Sequence, residues 1–192
     1  MTRLYRLGVL LALAIFAAMP RASSEGSSSN QPEYTPKNEL LPPVNYREWI
    51  YLSSGLGMNY SPVAGGHEMF TNVFVPHWAY REFMTTGKWP DKTIFVVEER
   101  MSATKGSINK AGHFQTGLMG MGVEVKDEKR FPDKWAYFNF DPDTKSASAL
   151  PKRACWQCHE DNAAVEHTFV QFYPTLIPVA QKFGVYRQKV QD

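Results

Sequence analysis

Cysteine occurs at only two positions in this 192-residue chain, and both lie in the segment Cys155-Trp156-Gln157-Cys158-His159. The pattern C-x-x-C-H is the covalent attachment signature of c-type haem. On a helix, positions i, i+3 and i+4 share one face, so that both sulfur atoms and the imidazole point the same way. Two thioether bonds would then fix the macrocycle, and His159 would reach the iron as its proximal ligand.

Two other chemistries use a similar cysteine spacing. A redox dithiol predicts a thioredoxin-like βαβ pattern around the cysteines, and the sequence has none. A structural zinc site needs four nitrogen or sulfur ligands, and the chain has no second cysteine pair. We therefore predict one covalently bound haem c, attached through Cys155 and Cys158, with His159 as the iron ligand. With both cysteines committed, no disulfide is expected.

The N-terminus predicts export. Arg3 and Arg6 precede an apolar run over residues 7–18, and small residues follow at Ala22-Ser23-Ser24. This is the pattern of a secretory signal peptide, here residues 1–24. The alternative is an uncleaved membrane anchor, but the apolar run is too short for a clear transmembrane span. Cleavage would remove three of the 21 basic residues and none of the 19 acidic ones. The mature chain is then nearly neutral, so we expect no nucleic-acid or anionic-membrane partner. Haem c attachment to an exported chain predicts a periplasmic location.

The rest of the chain reads as a flexible leader, residues 25–38, followed by a single domain, residues 39–192. Turn residues and residue preferences predict a short helix running into a strand at 46–51, a helix between Pro76 and Gly87, and an attachment helix from about Lys152 to His167. Further strands are predicted at 72–75, 93–97, 112–126 and 135–140, with a hairpin loop at 105–111. The predicted fold class is α+β, a small antiparallel β-sheet with flanking helices and haem c attached on a C-terminal helix.

This layout argues against an ordinary electron-transfer cytochrome c, which is all-helical, carries C-x-x-C-H near its N-terminus and takes a downstream Met as sixth ligand. The 33 residues after His159 contain no Met and a single His, His167, which the predicted helix places on the same side of the haem as His159. A sixth ligand would have to come from upstream, and we therefore expect five-coordinate iron with an open distal face. The upstream candidates are Met58, Met69, Met84, Met101, Met119, Met121, His67, His77 and His113.

Several blocks of sequence resemble the cytochrome P-460 family, which includes hydroxylamine-oxidising cytochromes P-460 and the β-sheet cytochromes c-prime-beta. The resemblance extends from about Asn45 to Leu176. Its blocks are Asn45-Tyr46-Arg47-Glu48-Trp49, Tyr80, Thr86-Gly87-Lys88-Trp89-Pro90-Asp91-Lys92-Thr93, Gly112-His113-Phe114, Cys155 to His159, and Phe169-Val170-Gln171-Phe172-Tyr173-Pro174. The resemblance implies an antiparallel sheet over the distal face of a haem c, the C-x-x-C-H histidine as proximal ligand, and a homodimer.

Two features that the resemblance implies for hydroxylamine oxidation are missing from the aligned positions. The family's lysine that cross-links to the haem edge aligns with Val97, with Glu98 beside it. A shift of one residue gives Val96 or Glu98, and Lys92, Lys105 and Lys110 read as solvated loop lysines. The family's distal carboxylate aligns near Gly122. Glu124 lies two residues further on the same strand face and would replace it only in a different register.

Without the lysine and the carboxylate, we expect a largely apolar distal pocket lined by Phe95, Val97, Phe114 and Leu118. Such a lining favours neutral diatomic ligands such as NO over anions and leaves no general base for hydroxylamine. The first hypothesis is therefore an NO-binding haem c protein. The alternatives are a hydroxylamine-oxidising enzyme and a simple electron carrier, so enzymatic activity is left open. A periplasmic electron-transfer partner is also expected.

Overall fold

The computed structural model describes residues 30–58 and 68–188 and contains a five-stranded antiparallel sheet in the order β1-β2-β3-β4-β5. The strands are β1 (Ile50–Leu56), β2 (Met69–Val75), β3 (Ile94–Ala103), β4 (Phe114–Lys126) and β5 (Trp135–Phe140). The helices are α1 (His77–Thr86), α2 (Trp156–Asn162) and α3 (Ile177–Lys182), with 3₁₀ turns at Tyr46–Glu48 and Val170–Phe172. The predicted α+β class is confirmed, and each predicted strand is present.

The sheet separates two hydrophobic cores. The front face carries a core that includes Val73 and Phe95 and is covered by α1 and the C-terminal segment. The back face carries a second core that includes Val96 and Phe138 and is covered by the N-terminal segment through Tyr46. Residues of β3 therefore alternate between two buried environments, as the side-chain period of a strand requires. The candidate site lies on the front face.

Helix α1 connects β2 to β3 along the front face. Pro76 precedes its first residue with φ −57°, and Gly87 ends it in a left-handed conformation with φ 70°. A side chain at Gly87 would be strained by this φ, and its Cβ would lie 2.7 Å from the Cβ of Phe183. The predicted boundaries at Pro76 and Gly87 thus agree with the structure. None of the helices in the described residues is long and apolar enough to span a membrane.

Candidate functional site

The predicted attachment segment forms the start of α2. Cys155 occupies the N-cap position of the helix, and Cys158 lies in its first turn. Both carry free thiols, with Cys155 half-buried and Cys158 exposed. Burial raises the pKa of the Cys155 thiol, and the nearby Glu124 carboxylate adds to the rise. Two unpaired thiols at this spacing are available for thioether bonds.

The ring of His159 is held in one orientation by its surroundings. Its Nδ1 atom lies 2.7 Å from the backbone carbonyl oxygen of His167, and because a carbonyl only accepts, Nδ1 carries the hydrogen. The ring packs against Tyr137 and Phe169, with centroid separations of 4.4 Å in both cases. Nε2 is left with its lone pair, as an iron ligand requires.

The chain after α2 differs from the prediction. The attachment helix ends at Asn162, not at His167. Glu166 and His167 both adopt left-handed backbone conformations, with φ values of 42° and 67°, and they form the tight turn over residues 165–168. The prediction that His167 lies on the same helix as His159 is wrong. Instead, the turn brings the carbonyl of His167 back against the His159 ring.

Sequence reasoning missed two groups that shape this region. The first is the backbone carbonyl of His167. Every residue has such a carbonyl, so the residue type at this position does not indicate its role. The second is Arg187, whose guanidinium donates to the carbonyl of Glu160 at 2.7 Å and to that of Ala163 at 2.8 Å. Arg187 thereby satisfies carbonyl groups near the C-terminal end of α2, which a helix end otherwise leaves without partners. Because Arg187 lies far from α2 along the chain, no sequence pattern indicated this contact.

A cavity of about 420 Å³ lies between part of α2 and the front face of the sheet. Every strand contributes to its lining, and α2 contributes Cys155 and His159. Its walls are partly polar, so it differs from the two hydrophobic cores. The front-face strand residues that line it are Ser53, Gly55, Met69, Thr71, Val73, Val97, Glu99, Gly122, Glu124, Tyr137 and Asn139.

Of the four residues predicted to line the distal pocket, Val97 lines the cavity. Phe95 faces the same side of β3, as strand alternation predicted, but it lies in the front core with none of its surface exposed. Its ring contacts Trp89 at a centroid distance of 4.8 Å and Tyr173 at 6.4 Å. Phe95 therefore supports the cavity wall from behind and is not part of the lining.

Phe114 and Leu118 lie outside the cavity lining, contrary to the prediction. β-Bulges interrupt the pairing of β3 with β4 on either side of Arg100, and Leu118 pairs with Arg100 beyond the first of them. Strict alternation from Gly122 therefore no longer holds at Leu118. Phe114 pairs with Ala103 at the end of the hairpin and is exposed. The Leu118 prediction failed because a single sequence does not reveal these bulges, and the Phe114 prediction failed because this residue lies at the exposed end of the hairpin.

The positions aligned with the family's lysine and carboxylate meet across the sheet. Val97 pairs with Gly122, and both line the cavity. Within the described residues, no lysine lines the cavity. Lys92 instead forms an ion pair with Asp127, while residues 105 and 110 are exposed near the β3–β4 hairpin end.

Two carboxylates line the cavity, which corrects the expectation of a largely apolar pocket. Glu124 Oε1 lies 3.9 Å from His159 Nε2, and Glu124 Oε2 is buried without a hydrogen-bond partner among the described residues. Burial raises the pKa of Glu124, although the His159 ring opposes part of this rise. Burial also raises the pKa of Glu99. Both groups are the kind of perturbed cavity carboxylate that marks a functional site.

Among the upstream candidates for a sixth iron ligand, Met58 and Met69 line the cavity. His77 lies 3.0 Å from the carbonyl of Glu48, and His113 contacts Ser102 at the hairpin. His67 lies outside the described residues. The other methionines lie away from the cavity lining, on α1, β3 and β4, and they are Met84, Met101, Met119 and Met121.

These residues fit a covalently held haem. Cys155 and Cys158 supply two free thiols, and His159 supplies a ring nitrogen whose orientation is fixed by the His167 carbonyl. The adjoining cavity has room for a cofactor face, and the orphaned oxygen of Glu124 indicates a group still to be contacted there. The arrangement can hold an iron centre and present small ligands to a pocket with acceptor groups.

Comparison with known proteins points the same way. A family model described as cytochrome P-460 matches residues 43–170, about two thirds of the chain. No curated protein matches the chain significantly. The match includes the C-x-x-C-H segment and all five strands.

Proposed function

The chain belongs to the cytochrome P-460 family, and on this premise we propose that it is an exported mono-haem c protein that binds small neutral ligands such as NO. The family implies a haem cofactor. The observation that carries the proposal is the state of His159. Its Nδ1–H donates a hydrogen bond to the His167 carbonyl oxygen, with 2.7 Å between Nδ1 and the oxygen, and this leaves Nε2 free for iron.

In this proposal Cys155 and Cys158 hold the haem through thioether bonds, and His159 is the proximal ligand. The haem supplies an iron centre that can bind diatomic ligands and change redox state. Tyr137 and Phe169 both pack against the His159 ring and restrict its rotation. The front face of the sheet then forms the wall of the ligand pocket.

The cavity lining supports a preference for neutral ligands, for a reason other than the predicted one. Glu99 and Glu124 line the cavity, and within the described residues no lysine or arginine does. A carboxylate repels an anion when ionised and offers no positive charge when protonated. Anionic ligands such as azide or nitrite should therefore bind poorly, whereas NO carries no charge.

Hydroxylamine oxidation is the second candidate, because Glu124 brings a carboxylate into the cavity. A general base must lie within reach of the proton it removes and have a pKa near the working pH. Burial raises the pKa of Glu124, which is the direction that a general base needs. Against this candidate, Val97 stands where the cross-linking lysine is expected. We therefore place NO binding first.

The cellular setting is also a proposal. The predicted signal peptide at residues 1–24 lies outside the described residues and supports export to the periplasm. A homodimer remains a prediction that follows from the family resemblance, and a periplasmic electron-transfer partner remains a prediction as well.

The test is to purify the protein from cells that mature haem c and to record ferric and dithionite-reduced absorption spectra, followed by an NO titration. A high-spin haem c spectrum with one NO bound per chain supports the proposal, and the double variant C155S/C158S should lose covalent haem. A strongly red-shifted ferrous Soret band, with sustained hydroxylamine turnover, would overturn NO binding as the main role.

The same spectra test the electron-carrier alternative. A six-coordinate low-spin spectrum in the parent protein would contradict an open iron. If Met58→Leu or Met69→Leu then converted that spectrum to high-spin, the residue replaced would be the sixth ligand. Met84→Leu is the matched control, because Met84 lies on α1 and not in the cavity lining.

A further inference from the structure

The 165–168 turn carries an inference that rests on the proposed function, in which His159 binds iron. Glu166 and His167 are consecutive residues other than glycine with left-handed φ values of 42° and 67°. Such backbone is unfavourable for residues with a side chain and persists only where the surrounding structure enforces it. Its result here is to direct the His167 carbonyl at Nδ1 of His159.

One side of the turn is fixed by Lys126, at the end of β4. Its Nζ donates to Glu166 Oε2 at 2.8 Å and to the carbonyl of Trp89 at 2.7 Å. The Lys126 side chain is 8% exposed and that of Glu166 is 31% exposed, so solvent screens this ion pair only in part. Charge-assisted bonds of this kind are the strong ones in a protein interior. Glu166 is therefore tied to the sheet.

The other side of the turn is fixed by Thr168, which is fully buried. Its hydroxyl accepts a hydrogen bond from Trp89 Nε1 at 2.9 Å and donates to the carbonyl of Val165 at 2.6 Å. Trp89 thus takes part in both attachments, through its carbonyl to Lys126 and through its indole to Thr168. Trp89, a front-core residue in the connection between α1 and β3, therefore contacts both of the side chains that fix the turn.

We propose that Glu166 and Thr168 are positioning residues that set the strength of the hydrogen bond between His159 and His167, and thereby tune the iron. A strong bond to Nδ1–H makes the imidazole a better donor at Nε2. Better donation stabilises ferric over ferrous iron, because the ferric state carries more positive charge. Loosening the turn should then raise the reduction potential and weaken the bond from His159 to iron.

The test uses Glu166→Gln and Thr168→Val in the holoprotein. We expect each to change the relative stability of the ferric and ferrous states about tenfold, a rise of about 59 mV for a one-electron couple. The resonance Raman band of the iron–histidine stretch in the ferrous protein should move to lower frequency. A loss of packing alone would lower the thermal midpoint and leave this band where it is.

Matched controls separate the turn from its surroundings. Glu128 also contacts Lys126, at 3.7 Å, but is not part of the turn, so Glu128→Gln controls for loss of one negative charge. Thr93 is likewise fully buried, and its hydroxyl donates to the carbonyl of Pro90 at 2.7 Å, so Thr93→Val controls for loss of a buried hydroxyl. Neither control should change the potential or the Raman band.

The proposal is refuted if E166Q has parental potential and Raman frequency, or if E128Q shifts both as much as E166Q does. Glu166 is 31% exposed, so E166Q should fold and decides the question even if T168V does not. A parent protein whose ferrous spectrum is high-spin but which lacks an iron–histidine band would refute the proposed role of His159. That result is distinguishable from a present but unmoved band.

Discussion

Two neighbouring residues of β3, Glu98 and Glu99, place carboxylates on opposite faces of the same sheet. On the back face, Glu98 accepts hydrogen bonds from the Tyr46 hydroxyl at 2.6 Å and from Arg100 at 3.2 Å, and it forms an ion pair with Arg47. On the front face, Glu99 lines the cavity and has no ion pair within the described residues.

The pKa directions follow this difference in partners. Burial pushes the pKa of Glu98 upward, but the hydrogen bond from Tyr46 and the charge of Arg47 outweigh it, and the net pKa is lowered. Burial raises the pKa values of Glu99 and Glu124 without comparable compensation. A carboxylate such as Glu98, whose hydrogen-bond and ion-pair partners offset its burial, stabilises the fold. Glu99 and Glu124 lack such partners among the described residues and can interact with a ligand in the cavity.

The largest expected effect comes from breaking the back-face cluster. Glu98→Gln removes the charge that Arg47 and Arg100 pair with and weakens the acceptor for the buried Tyr46 hydroxyl. A buried polar group deprived of its partner costs about 1–3 kcal/mol. We therefore expect the free energy of unfolding at pH 7 to fall by that amount, as measured by chemical denaturation of the haem protein.

The control for this prediction is the adjacent substitution Glu99→Gln, which changes the same residue type on the other face. It should alter the free energy of unfolding by less than about 0.5 kcal/mol, because the half-buried Glu99 has no ion pair among the described residues to lose. Equal losses in both variants would contradict the proposed difference between the faces.

The pH dependence of stability sharpens the same comparison. Because the folded pKa of Glu98 lies below the ordinary value of 4.5, its contribution is present above 4.5 and is lost as the pH falls through the folded pKa. The difference between parent and Glu98→Gln should therefore be full at neutral pH and shrink below pH 4.5. A difference that stays constant down to pH 3 would show that the charge of Glu98 is not responsible.

Much of the fold could be predicted from local sequence. Pro76 and Gly87 mark the limits of α1, and β-branched and aromatic residues mark β3 and β5, so these elements were found. Alternation along β4 correctly placed Glu124 on the same face as Gly122. The C-x-x-C-H spacing indicated the attachment chemistry without any knowledge of the sheet.

The rest depends on contacts between distant parts of the chain. The bulges beside Arg100 move Leu118 off the predicted face, and residue types alone do not place a bulge. Phe95 was assigned to the right face, but its depth is set by Trp89 and Tyr173. The left-handed backbone at His167 is enforced by side chains from other elements, so the sequence suggested a continuing helix there.

A smaller effect of opposite sign is expected on the front face. Glu124→Gln replaces a buried carboxylate, whose Oε2 has no partner among the described residues, by a neutral amide. Removing the cost of burying a charge should raise the free energy of unfolding by up to about 1 kcal/mol. Because the folded pKa of Glu124 is raised, the gain should grow as the pH rises through that pKa. Denaturation of parent and variant over a pH series upward from the ordinary value of 4.5 would measure this.

If Glu124→Gln instead destabilised the protein as much as Glu98→Gln, Glu124 would be a structural residue. Hydroxylamine turnover, where the parent shows any, gives a second measurement on the same variant. A base acting in the cavity would lose most of that turnover when replaced by an amide. The conservative variant Glu124→Asp should then retain part of it.

The smallest effect concerns the affinity of the cavity for anions. Glu99 lines the cavity without an ion-pair partner in the described residues, so its negative charge should oppose an entering anion. One charge at a distance of about 10 Å contributes on the order of 1 kcal/mol at an effective dielectric constant of about 20. Glu99→Gln should therefore tighten azide binding to the ferric protein threefold to tenfold at pH 8 and low salt, with NO affinity unchanged. The gain should shrink as salt screens the charge, and Glu98→Gln should show no such gain because its carboxylate faces the other side. An equal increase in azide and NO affinity would mean that Glu99 acts by steric obstruction, not by charge.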